Sequence, residues 1–81
     1  MKKSEIIYSL KVKEAQSWIT LQKVHKLEYE CNEMNVEFTG ELWKNTCCNI
    51  WATYSDLLKQ LDIKPFSENQ RNLLILQNSL T

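Results

Sequence analysis

The sequence predicts an all-α fold: one small domain of three helices over residues 1–81, the first long, the middle one amphipathic, the last short. Three observations lead there. A single Gly and a single Pro in 81 residues leave little material for the tight turns of a β-rich fold. Between those two breakers, apolar residues recur with the period of a helix. Just past Pro65 comes a helix-capping signature. At this length roughly 60–65% of the unfolded chain's surface can be buried, so the core is small. A hydrophobic content of 43% with 25% charged residues still places the chain among folding sequences and not disordered ones.

The first segment, residues 4 to about 35, begins at Ser4, a residue suited to capping, and holds only good or neutral helix formers. Its apolar stripe does not stay on one face. Val12, Ala15, Trp18, Leu21, Val24 and Leu27 fall at intervals of three, a row that winds around a helix of 3.6 residues per turn. Either the helix breaks or kinks near residues 17–22, or one long helix changes partners halfway along. No Gly, Pro or good cap interrupts it, which favours an unbroken or mildly kinked helix.

In the middle segment Trp43, Cys47, Ile50, Tyr54, Leu57 and Leu61 follow at spacings of 4, 3, 4, 3 and 4. Only a helix puts such a seven-residue repeat on one face. Trp51 and Leu58 widen the stripe on one side, and Asn45, Asn49, Thr53, Asp56, Lys59 and Gln60 suit water on the other. With Thr39 as its N-cap and residues 41–62 helical, it runs about 33 Å. Pro65 then ends the helix by driving Lys64 towards extended geometry. Ser67 with Gln70 forms a capping box, and Leu73, Leu76 and Leu80 give the last helix its stripe. Val36 and Phe38 in the connector 34–39 allow a short extended piece and no more.

A net charge of zero argues against a protein devoted to gripping phosphates, yet it conceals a segregation. Residues 1–27 carry six Lys against Glu5 and Glu14, a balance of +4. Residues 28–42 carry Glu28, Glu30, Glu33, Glu37 and Glu41 with no basic residue. That acidic stretch is either a solvated loop and helix end or a surface for a basic partner. Trp18, where the first helix changes face, and Trp51, on the shoulder of the middle stripe, are the aromatic anchors such a surface could use. Otherwise both belong to the core.

Cofactor and catalytic chemistry find little support. Cys31, Cys47, Cys48 and His25 lack the paired spacing of a structural zinc site, so no metal or other cofactor is expected. One Gly excludes a Gly-rich phosphate loop, and the chain is not expected to be an enzyme. An odd number of Cys, two of them adjacent, is no disulfide framework and fits a reducing cytoplasm. No run approaches the roughly 18 apolar residues of a membrane span. Nine Lys to one Arg, with seven Asn, is a composition common in AT-rich genomes, those of phages and plasmids among them.

The run PFSENQRNLL at residues 65–74 resembles the helix-start segments of small bacteriocin immunity proteins. That resemblance implies a compact, Lys-rich antiparallel helical bundle that protects the producing cell. The expectation from the residues themselves is a small cytoplasmic regulator or inhibitor, phage- or plasmid-borne, that blocks or bridges a host protein without catalysis. Its binding surface is Trp18, Glu28, Glu30, Glu33, Glu37, Glu41 and Trp51, and a companion expectation is a homodimer through the second half of the first helix and the last helix. The alternatives are the immunity-type bundle and a DNA-binding regulator of the helix-turn-helix type. For the latter the last helix offers Asn69, Gln70, Asn72, Gln77 and Asn78 but only Arg71 as a positive charge, so nucleic acid is not the expected partner.

Overall fold

A computed structural model describes the backbone of residues 2–80 and the side chains of residues 2–77. The chain is all-α: α1 spans Lys3–Glu33, α2 Glu41–Gln60 and α3 Glu68–Leu80. At 1.5 Å per residue α1 is about 46 Å long, nearly the 49 Å of the molecule's longest dimension. It does not break. Ser17 and Thr20, in the stretch where a kink was conceivable, turn their hydroxyls inward along the helix and donate to the carbonyls of Lys13 and Gln16 at 2.8 and 3.0 Å.

The winding stripe of α1 has its explanation in what flanks it. Both α2 and α3 pack on α1, and among the described residues they do not touch each other. One helix therefore serves two neighbours on different faces. Ala15 and Val24 are fully buried and Leu21 nearly so, while Val12 and Trp18 are half-buried. The α1–α2 core consists of Leu21, Val24 and Cys47, with Phe38 of the connector and Trp51 packed against them. Gly40 is needed for closeness here. A Cβ at that position would lie 2.7 Å from the Phe38 ring, which the core holds.

The ends of the helices are set by local chemistry. Gly40, not Thr39, is the N-cap of α2, and no side chain caps it. α1 and α2 both finish in Schellman turns whose left-handed residues are not glycine. Asn35 has φ 56° and Asp62 has φ 57°. In the first turn the N–H of Val36 donates to Cys31, and in the second that of Ile63 donates to Leu58, each at 2.9 Å. Thus α2 stops at Gln60 through its own turn, before Pro65 can act. At α3 the capping box forms in full: the Gln70 N–H donates to Ser67 Oγ at 3.3 Å and the Ser67 N–H to Gln70 Oε1 at 3.1 Å.

On α2 the buried face differs from the apolar stripe. Cys47 and Leu58 are buried and Trp51 and Tyr54 half-buried, whereas Trp43, Ile50, Leu57 and Leu61 are exposed. At 100° per residue the buried set is centred about 50° away from the stripe. The cause is that α1 covers only one flank and no third helix covers the other. On α3, likewise, Leu74 and Ile75 are half-buried while Leu73 and Leu76 lie outside. The side chain of Leu80, the last member of that stripe, lies outside the described residues.

Asp62 carries a left-handed backbone and a negative charge at the negative end of the α2 dipole, both unfavourable. Asp62→Gly relieves both and should stabilise the protein by about 1 kcal/mol, a rise of several degrees in Tm. Thermal melts followed by circular dichroism check this; a lower Tm would contradict the Schellman assignment.

Candidate interaction surface

The seven residues singled out in the sequence fall into three settings. Trp18 is half-buried at the α1–α3 junction, where the Arg71 guanidinium lies 4.7 Å over its ring. Arg71 Nη2 donates to both carboxylate oxygens of Glu14, at 2.6 Å to Oε2. Glu14 is 2% exposed, so this is a buried ion pair tying α3 to the middle of α1. Further along, Phe66 before α3 meets Tyr8 edge to face at 5.9 Å and takes the Lys11 ammonium over its ring at 4.8 Å. Trp18 thus belongs to a clasp within the chain. The clasp also draws the only positive charge of α3 inward, away from its polar face.

Trp51 packs against the α1–α2 core, its indole N–H buried without an acceptor among the described residues. Of the three tryptophans, Trp43 is the exposed one, at 48%. Trp43 stands in the stripe and Trp51 on its shoulder, and the flank that α1 covers is the one that carries Trp51.

The five acidic residues divide. Lys44 takes Glu28 at 2.7 Å across the α1–α2 junction and Glu41 at 3.3 Å on its own helix, so both carboxylates are matched within the chain. The Glu28 hydrogen bond holds the Lys44 ammonium above its ordinary pKa of 10.5, against partial burial, which works the other way. A pKa raised on folding contributes its stability in full below 10.5 and loses it only as pH climbs through the folded value, so neutral pH leaves this junction intact. Glu30, Glu33 and Glu37 are exposed and make no ion pair among the described residues. They surround the C-terminal end of α1, whose last turn holds no basic residue, and beside them Met34 and Val36 are 72% and 52% exposed. Negative charge and apolar surface coincide at that end.

A second apolar surface lies along the stripe of α2. Trp43, Ile50, Leu57 and Leu61 form a ridge along α2. Beside it runs a groove of about 310 Å³ between Lys13, Gln16, Ser17 and Thr20 of α1 and Cys47, Ile50 and Tyr54 of α2. Among the described residues, no group of three or more His, Cys, Asp or Glu could hold a metal, and no helix is long and apolar enough to cross a membrane.

The clasp sets the first prediction for this surface. Arg71→Leu strands the Glu14 carboxylate inside the protein and should cost about 3–5 kcal/mol, a large share of the stability of so small a chain. Pairing it with Glu14→Leu should recover most of that loss. Urea unfolding followed by far-ultraviolet circular dichroism gives both values, and a double variant as unstable as the single one would reject the pairing.

Compared with known proteins, the chain matches no family model, no curated protein and no solved structure.

Proposed function

We propose that the protein is a small cytoplasmic regulator or inhibitor, from a phage- or plasmid-type genome, that acts by binding a host protein and blocking or bridging it without catalysis. The observation that carries this reading is the apolar surface left open. Among the described residues thirteen large hydrophobic side chains are exposed, against six buried apolar residues. Single exposed leucines need no explanation, but apolar residues gathered at one helix end and along one ridge mark contact surfaces.

The host-facing surface in this reading is the acidic end, where Glu30, Glu33 and Glu37 frame Met34 and Val36. Its chemistry suits a basic segment of the partner carrying apolar side chains. Glu28 and Glu41, held by Lys44, shape the base of that surface and do not meet the partner. The α1 dipole directs its negative end the same way and strengthens the attraction.

A photo-crosslinking residue in place of Met34, used in living source cells, should yield adducts with a protein other than the chain itself. Charge reversal by Glu30→Lys and Glu33→Lys should lower the yield and flatten its dependence on salt. Absence of protein adducts, or a yield indifferent to both reversals, would overturn the reading.

A further inference from the structure

We propose that the exposed ridge of α2 is covered by a second copy of this chain, packed antiparallel about a two-fold axis at the level of residue 52. The inference goes beyond the host-binding reading and uses a different surface. It starts from spacing. The intervals 4, 3, 4, 3, 4 read the same in both directions, so an antiparallel pair of identical helices sets every stripe residue opposite another. Trp43 meets Leu61, Cys47 meets Leu57, and Ile50 meets Tyr54. Each layer matches a large side chain with a smaller or complementary one, the arrangement that a heptad seam needs.

Charge favours the same occupant. Two copies of one surface bring like charges together unless the pattern avoids it. Here Glu41, Lys44, Asp56 and Lys59 fall opposite Ile63, Gln60, Cys48 and Asn45, so no charged residue of α2 meets its like. The outer rim of the seam is Thr46, Thr53 and Gln60, all uncharged. The antiparallel pairing also sets the two helix dipoles head to tail.

Area agrees in scale. The chain exposes 6370 Å², about 1,300 Å² more than a compact monomer of its mass. A standard interface takes about 800 Å² from each partner. The groove between α1 and α2, with Cys47, Ile50 and Tyr54 on its α2 wall, receives Leu57 and Tyr54 of the second copy. The dimer so formed places its two acidic ends at opposite ends of the paired α2 helices, roughly 30 Å apart.

Sedimentation equilibrium of the full chain should give twice the 9.6 kDa chain mass, and Ile50→Glu should return it to one chain with its helical circular dichroism kept. Ile50 is 46% exposed, so the fold does not depend on it. Trp43→Cys with Leu61→Cys, in a Cys31→Ser, Cys48→Ser background, tests the register at two exposed positions that face each other across the seam. With oxidised glutathione as electron acceptor, the two introduced thiols should form disulfides between copies, and either substitution alone should give no bridge. A monomer at every concentration overturns the proposal, as does a dimer that Ile50→Glu leaves intact. A bridge formed by either of these two substitutions alone overturns the antiparallel register. A monomer that still captures another protein at Met34 removes the dimer and leaves the host-binding reading standing.

Discussion

Glu14 and Arg71 hold the third helix to the first, and the layout of the molecule follows from the place of that clasp. Because α3 is drawn to the Trp18 side of α1, it lies away from α2, and among the described residues the two helices do not pack together. A three-helix bundle normally closes around a shared core. Here the cluster of buried apolar residues lies at the α1–α2 contact, with Leu21, Val24 and Cys47 at its centre. The chain is accordingly drawn out, with a radius of gyration of 14.7 Å where a compact chain of 81 residues has about 11.7 Å. An unclosed bundle leaves one flank of each outer helix in water, and that flank carries the apolar ridge of α2.

Much of the fold was legible in the sequence because it is written in local chemistry. The unbroken run of helix formers marks α1, the apolar repeat of residues 43–61 marks α2 and the Ser67–Gln70 box marks α3, all without reference to anything distant. What local chemistry cannot show is which neighbour a face meets. The stripe of α2 names six apolar residues, but burial depends on where α1 crosses, and that crossing reaches Trp51 and Leu58 in preference to Ile50 and Leu61. The turn at Asp62 was hidden for another reason. A left-handed aspartate lacks the glycine that advertises such a turn.

The site was less legible than the fold. Glu14 read as one charge among many on a basic helix, although its place with Trp18 and Leu21 at helical spacing was a clue to burial. Arg71, the lone Arg among nine Lys, was the other clue, since a guanidinium tolerates a buried carboxylate better than an ammonium does. The pairing across 57 residues needed the fold itself. The acidic run likewise looked uniform in sequence. Lys44 pairs with Glu28 across the α1–α2 junction and with Glu41 on its own helix, and leaves Glu30, Glu33 and Glu37 as an outward face, unpaired among the described residues. Two such faces on one antiparallel dimer would make a bivalent binder, suited to bridging two sites and not merely covering one.

The unburied flank of α2 is the part of the molecule that another copy would complete. Thermal unfolding recorded over protein concentrations from about 1 μM to about 1 mM tests that most directly, because only a folded state stabilised by association gains from mass action. The account predicts a Tm that rises steadily with concentration in the native chain and stays level in the Ile50→Glu variant. A native Tm that holds constant across the whole range would contradict it.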